Sequence, residues 1–422
     1  MIDHVTGLVC VICGTSYPTD EAGYVCPRHA ELGAGNEGIL DVRYDHELIG
    51  TRISPESLAA NRDGTMWRYR PLLPVDPGAE VPPLTVGWTP TYQAPRLAGA
   101  LGLGEVWVKD EGRQPTGSLK DRASAMALVK ARERGAEVVT TASTGNAAAA
   151  LSGLSASIGQ KNVIFVPETA PEAKVTQLLA YGSTVALVKG NYDAAFELCM
   201  EAAAEFGWYN RNTGFNPYMT EGKKTAGLEI LEQMGWNPPD AIFVSVGDGS
   251  IIGGVHKAMK DAVSLNWIWE SPRIYGIQAA GSDYLVQAFE SGEDVLTKPA
   301  IVAATVADSI SADLPRDRIK AMAAVKESGG AFLRISDDEI LAAMPLLARG
   351  SGVFAEPAGA AAYAGLIAAV DTGLVSAGER VAVLSTGNGL KDIASAMKAV
   401  TAAGTNPMHI LPTLDALKDA LA

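Results

Sequence analysis

Strand-sized apolar runs that alternate with longer alanine-rich stretches are the feature that most constrains this chain. The runs are VWVKD at 106–110, EVVTTAS at 137–143, NVIFVPE at 162–168, TVALVKG at 184–190, AIFVSVG at 241–247, RIYGIQA at 273–279 and RVAVLSTG at 380–387. Helical patterns such as 144–157 and 194–206 lie between them. This alternation predicts an α/β fold, a parallel sheet covered by helices on both faces, because parallel neighbours need long crossovers. In open sheets of this kind ligands bind beyond the carboxyl ends of the strands, so the residues just after each run are the candidates for chemistry. A chain of 422 residues suits two or three domains. The stretch from Pro71 to Pro95 is too rich in proline for a regular helix and reads as an extended connector ahead of the main body.

Charge narrows the partners. Lys+Arg 34 against Asp+Glu 48 leaves a net charge of -14, a field that repels polyanions and argues against nucleic acid or an acidic membrane surface. The apolar stretch 359–370 is shorter than the roughly 20 residues of a bilayer span. The sequence opens with no basic, apolar leader, and a cytoplasmic location is expected. Three of the four cysteines crowd into residues 10–29 as a CxxC…CxxH array. That spacing lets Cys10, Cys13, Cys26 and His29 present three thiolates and an imidazole tetrahedrally, as a structural zinc ion favours. Asp20, Glu21 and Glu31 in the same segment argue against a nucleic-acid-binding zinc module.

Two further constellations carry chemistry. In Gln114-Pro115-Thr116-Gly117-Ser118-Leu119-Lys120-Asp121-Arg122 a tight turn leads, through Ser118 as the expected N-cap, into a helix whose first turn holds Lys120. The positive end of the helix dipole and desolvation both lower a lysine pKa there, which favours the free amine as nucleophile and proton carrier. In 244–254 an apolar strand runs into a glycine turn at Gly247, Asp248, Gly249 and Ser250, whose backbone N–H groups can cradle a phosphate. The spacing is GxGxxxG and the next strand ends in Gln278-Ala279, unlike a dinucleotide site.

With these segments in this order, the sequence resembles the threonine synthase group of the tryptophan-synthase-β-like, fold type II pyridoxal-phosphate enzymes over nearly its whole length. Pro115 to Arg122 is similar to the family's PTGSFKDR, with Leu119 in place of phenylalanine. Ser143-Thr144-Gly145-Asn146 matches a loop after a strand, residues 384–392 look like STGHGLKD, and Glu356-Pro357-Ala358 resembles an EPA segment. The resemblance implies two doubly wound parallel-sheet domains with a small N-terminal knuckle, a metal-binding form of which occurs in some members. The expected divisions are a knuckle at 1–45, a large cofactor domain from 46–122 and 211–422, and a small mobile domain at 123–210. It implies pyridoxal 5′-phosphate bonded to Lys120, with Asn146 on its 3′-oxygen, Gly247, Asp248, Gly249 and Ser250 around its phosphate, and Thr386 against the pyridine nitrogen. Ser143, Thr144 and Gly145 would grip the carboxylate of a small amino-acid substrate. The implied reaction is loss of phosphate from O-phosphohomoserine followed by addition of water at the β-carbon, and a homodimer is left open.

One stretch departs from the family pattern, which near the substrate phosphate reads roughly Asn-Ser-x-Asn-Pro-x-Arg-x-Glu-Gly. Here residues 213–222 have Met219 in place of the arginine and Gly214 in place of the serine. Asp248 and Ile251 stand where asparagines are common. A methionine cannot clamp a phosphate dianion as a guanidinium does. Arg113, Arg211, Lys223, Lys224 and Arg349 are the candidates to compensate. A second reading is therefore a related β-elimination or β-replacement enzyme, such as a serine or threonine ammonia-lyase. A non-catalytic binder or a nicotinamide dehydrogenase leaves Lys120 and Thr386 without roles. Asp121 and Arg122 read as a helix-start ion pair, Cys199 as core, and His256 and Lys257 as a solvated helix face.

Overall fold

The computed structural model describes residues 2–19, 21, 23–29, 38–170 and 172–421, so Asp20 and Glu31 lie outside the described residues. Its strands, in chain order, are β1 (Val5–Cys10), β2 (Ser16–Tyr17), β3 (Val25–Cys26), β4 (Gly38–Tyr44), β5 (Thr91–Gln93), β6 (Glu105–Asp110), β7 (Val138–Ala142), β8 (Lys161–Pro167), β9 (Thr184–Val188), β10 (Tyr209–Asn210), β11 (Ala241–Ser245), β12 (Arg273–Ala279), β13 (Phe332–Ile335) and β14 (Arg380–Ser385). They form three sheets, ordered β2-β1-β4-β3, β10-β7-β8-β9 and β13-β12-β11-β14-β6-β5. The second is parallel throughout. The third is parallel except for β5, which runs antiparallel to β6 at the edge. Every predicted apolar run is a strand of these two sheets.

The large sheet is covered on both faces, and every residue of β11 is buried as such a position demands. Strand alternation divides its side chains. Ile242 and Val244 pack with Ile252 and Val255 of the helix Ser250–Ser264, whereas Ala241 and Phe243 pack with Ala360 and Ala364 of the helix Pro357–Asp371. Small residues on that second helix let it lie close to the sheet. The helix Lys120–Glu133 packs Ala123, Met126 and Ala127 in one cluster with Leu8 and Leu40 of the first sheet and Val139 of the second. The division between 122 and 123 thus falls inside a continuous helix. Residues 73–90 form no helix or strand, in keeping with their prolines. Among the described residues no helix is long and apolar enough to cross a membrane.

The antiparallel first sheet is the part that periodicity did not forecast. It docks on both other sheets' surroundings. Tyr24 accepts a hydrogen bond from the Asn210 backbone N–H at 3.0 Å and packs on Phe215 and Tyr209, with ring centroids 4.9 and 5.7 Å away. Asp41 on β4 pairs with Lys257 at 3.0 Å and Lys320 at 3.1 Å. This docking corrects the expected solvated face: Lys257 also pairs with Glu221 at 2.5 Å, and His256 is buried, its pKa taken to about 4 by desolvation. Cys199 is core, as expected, in the helix Tyr192–Phe206.

Candidate active site

The chemistry-bearing segments meet where strands end. Beyond β14 the Thr386 carbonyl accepts the Leu119 N–H at 2.9 Å, and the Gly117 carbonyl accepts the Asn388 N–H at 2.9 Å. These bonds fasten the start of the lysine helix to the end of a central strand. Ser118 does not cap that helix: Leu119 occupies the flanking position in helical conformation, and the Ser118 hydroxyl has no hydrogen-bond partner among the described residues. Asp121 is taken up instead by the preceding turn, accepting from the backbone N–H of Thr116 at 2.7 Å and from its hydroxyl. Nor does Arg122 pair with Asp121. It is fully buried, with Nε and Nη2 each 2.7 Å from Glu111, Nη1 2.5 Å from Glu229 and Nη2 2.7 Å from Glu229. Lys109 joins the same group at 2.7 Å from Glu229. Carboxylates from two distant segments therefore outcompete the neighbouring residue.

The amine of Lys120, two residues before Arg122, makes no hydrogen bond or ion pair with any described residue. Burial lowers its pKa, and repulsion from Arg211 adds to the effect, while Asp248 and Glu356 oppose it. Arg211 and Asp248 follow β10 and β11, and Glu356 stands at the start of the helix Pro357–Asp371 and donates its N–H to the Gly387 carbonyl beyond β14 at 3.1 Å, so the lysine lies where these segments converge. The glycine turn after β11 needs its glycines. A Cβ on Gly247 would stand 2.7 Å from the Ile310 backbone, and Gly249 has φ +95 with a Cβ position 2.8 Å from the Asp317 carbonyl. The Asp248 carboxylate accepts the Arg316 N–H at 2.8 Å, which ties the turn to the segment ahead of the helix Arg318–Glu327.

A cleft of about 350 Å³ opens beside these segments, lined by Thr116, Thr144, Gly145, Asn146, Glu356 and Lys391 among others. Ser143 lies just behind, its hydroxyl accepting the Gly145 N–H at 3.2 Å, and the helix Asn146–Ile158 starts at the cleft wall. Asn146 donates to Glu356 at 2.7 Å, and burial raises the Glu356 pKa to about 7. Glu356 was legible only as part of a sequence segment; its bond to Asn146 was not.

Residues 83–387 match the family described as pyridoxal-phosphate dependent enzyme. The threonine synthase of Methanocaldococcus jannaschii is 37% identical over 414 residues, 98% of each chain, and that of Methanosarcina acetivorans is 37% identical over 98% of each. The chain belongs to the threonine synthase family of pyridoxal-phosphate-dependent lyases. Among solved structures, threonine deaminase isoform 2 from Solanum lycopersicum superposes with a TM-score of 0.64 at 23% identity, over 75% of this chain and 88% of that one, a likeness of fold.

The candidate cations of this family member separate clearly. Arg113 is exposed and pairs with Asp110 at 3.2 Å, Lys224 is buried between Glu221 and Asp261 at 2.9 and 2.7 Å, and Arg349 reaches Thr405. Arg211 and Lys223 are fully buried, and each repels Lys120 electrostatically. Met219 faces an apolar cluster that includes Leu8, Leu40 and Trp67.

The first sheet gathers the metal-type residues. Cys10 ends β1 and Cys26 ends β3, and both strands flank β4. The ligand atoms of Cys10, Cys13, Cys26 and His29 all lie within 4.8 Å of one another, and the Cys13 and Cys26 sulfurs are 3.9 Å apart. A tetrahedral zinc with bonds of about 2.3 Å separates its sulfurs by about 3.8 Å, so the donor set and spacing fit that ion. Among the described residues the His29 Nε2 has no partner, and a Cβ on Gly38 would stand 3.0 Å from the Cys10 sulfur, so only glycine fits behind the cluster.

Proposed function

We propose that the chain is a threonine synthase that releases phosphate from O-phosphohomoserine and adds water at the β-carbon to form threonine. The observation that carries this reading is Lys120, an amine with a lowered pKa and no partner among the described residues, held where the segments after β10 and β11 meet the start of the helix Pro357–Asp371. Pyridoxal 5′-phosphate, when bound, supplies an electron sink for the pair left on the substrate α-carbon. Lys120 would anchor it covalently and, displaced by the substrate amine, would take the α-proton and shuttle protons thereafter. Gly247, Asp248, Gly249 and Ser250 would hold the cofactor phosphate, because the absent side chains leave the backbone N–H groups open at a helix start. Asn146 would donate to the 3′-oxygen, and Thr386 would offer the ring nitrogen a neutral hydroxyl.

Ser143, Thr144 and Gly145 would bind the substrate carboxylate at the positive end of the helix Asn146–Ile158. The unit around 123–210 would move toward the larger one and exclude water until it is needed as nucleophile. Cys10, Cys13, Cys26 and His29 would hold a structural zinc, and the location would be cytoplasmic. Met219 favours one alternative, elimination or replacement at the β-carbon of another amino acid. The deciding experiment mixes holoenzyme with O-phosphohomoserine and scores phosphate and threonine. Stoichiometric appearance of both is expected; ammonia and keto acid from serine or threonine, with no phosphate released, would replace this reading by the alternative.

A further inference from the structure

Arg211 and Lys223 are cations with no carboxylate in ion-pair contact among the described residues; Asp248 acts on both from farther off, joined by Asp121 at Arg211 and Asp317 at Lys223. Each is fully buried, and neither forms an ion pair among the described residues. The other buried cations described above, Arg122, Lys109 and Lys224, all reach carboxylates. Arg211 donates through Nε to Ser124 at 3.1 Å and through Nη1 to Thr213 at 3.4 Å, while its buried Nη2 has no partner among the described residues. Lys223 donates to the same Thr213 hydroxyl at 3.2 Å and to Ser250 at 2.7 Å. Two cationic side chains thus converge on one hydroxyl in the protein interior. Burial takes the Arg211 pKa down to about 10, and burial with repulsion from Lys120 takes that of Lys223 well down. An uncompensated buried charge is costly enough that such a pair calls for an anionic occupant.

Position and shape narrow the occupant. Thr213 belongs to the stretch associated with substrate phosphate, and Lys223 lies four residues after Met219 on the helix Tyr218–Gln233, one turn along the same face. The backbone of the glycine turn already offers N–H groups for the cofactor's phosphate, and Lys223 meets that turn at the Ser250 hydroxyl and in the field of Asp248. We propose that Arg211, Thr213 and Lys223 form the substrate-phosphate site of this chain, rebuilding one helical turn away the clamp that residue 219 does not supply. The Arg211 fork and the Lys223 point charge neutralise a tetrahedral dianion from two sides, with the Thr213 hydroxyl between them.

The inference rests on the phosphorylated substrate proposed above, so its test separates the two. Holoenzymes of the parent chain, Arg211→Gln and Lys223→Gln are titrated calorimetrically with inorganic phosphate, and steady-state phosphate release from O-phosphohomoserine is measured in parallel. Apoenzymes are titrated with pyridoxal 5′-phosphate and with pyridoxal. The expected result is at least a tenfold weakening of inorganic phosphate binding and a tenfold rise in KM in each variant, with the preference for pyridoxal 5′-phosphate over pyridoxal kept within twofold. Should Arg211→Gln not fold, Arg211→Lys is read instead, with intermediate weakening expected from a charge kept without its fork. Unchanged phosphate binding in the variants overturns the proposal. So does a selective loss of the preference for pyridoxal 5′-phosphate, which would assign both cations to the cofactor. If the parent chain binds inorganic phosphate through these residues yet releases none from O-phosphohomoserine, the anion site stands and the threonine synthase reading falls.

Discussion

Arg122→Met tests whether the buried ion group beneath the lysine helix is held by its central guanidinium. In the parent chain that guanidinium makes four bonds of 2.5–2.7 Å to Glu111 and Glu229, and all three side chains are fully buried. After substitution Lys109 still serves Glu229 at 2.7 Å, and Thr89 and Gln114 still serve Glu111 at 2.6 and 2.9 Å. One carboxylate is then left without a counter-charge. Removing one partner from a buried pair costs about 3–5 kcal/mol; with Lys109 and two neutral donors remaining, about 3 kcal/mol is expected. The assay is urea unfolding of the apoenzyme, followed by tryptophan fluorescence, with the m-value compared between variants. The deficit should shrink as the pH is lowered, because the arginine holds both carboxylates below their ordinary pKa and its loss lets one take up a proton. Adding Glu111→Gln should restore part of the loss by removing the orphaned charge. A cost below about 1 kcal/mol at neutral pH, or no recovery in the double variant, would refute the assignment of the penalty to an uncompensated charge.

Three further outcomes are expected. Lys120→Ala should yield a chain without the visible absorption band of lysine-bound cofactor and without a borohydride-fixed adduct at that position. The Glu356 carboxyl has a folded pKa of about 7 against an ordinary 4.5, so it stabilises the fold below pH 4.5 and loses that contribution as the pH rises through about 7. Glu356→Gln, which keeps an acceptor for Asn146, should flatten that decline, worth about 3 kcal/mol, in apoenzyme unfolding curves across pH 4–8. Elemental analysis should find one zinc per chain, lost in Cys26→Ser, with a lowered urea midpoint on chelation; metal-free protein of unchanged stability would dismiss the zinc site.

The parallel sheets were legible because fully buried strands such as AIFVS and RVAVLS are continuous apolar runs bounded by glycine turns. The first sheet was not, since β2 and β3 have two residues each and carry no readable period. Side-chain partnerships escaped for a different reason. Arg122 has an acidic neighbour at 121, yet its bonds go to Glu111 and to Glu229, 107 positions away. His256 and Lys257 carried no sign of the sheet that covers them. Motif and strand end singled out Lys120, Asn146 and the glycine turn as candidates, and the fold sets Lys120, Asn146 and Ser250 each at the first position of a helix. Five cations stood equal as replacements for the missing arginine, and only folding distinguished Arg211 and Lys223, because burial without a counter-ion has no trace in local sequence.

The bond between Tyr24 and Asn210 has a mechanical consequence. β10 is the rim of its sheet, where the Arg211 N–H turns inward to the Thr140 carbonyl at 2.9 Å and the Asn210 N–H turns outward to the Tyr24 phenol. Consecutive amides are thereby pinned from opposite sides, like work held in a vise, and the guanidinium projects from the clamped point. One jaw belongs to a segment ahead of residues 83–387, the stretch shared with the wider enzyme family. Trimming the N-terminal sheet would leave every reacting group in the chain and still loosen the aim of Arg211.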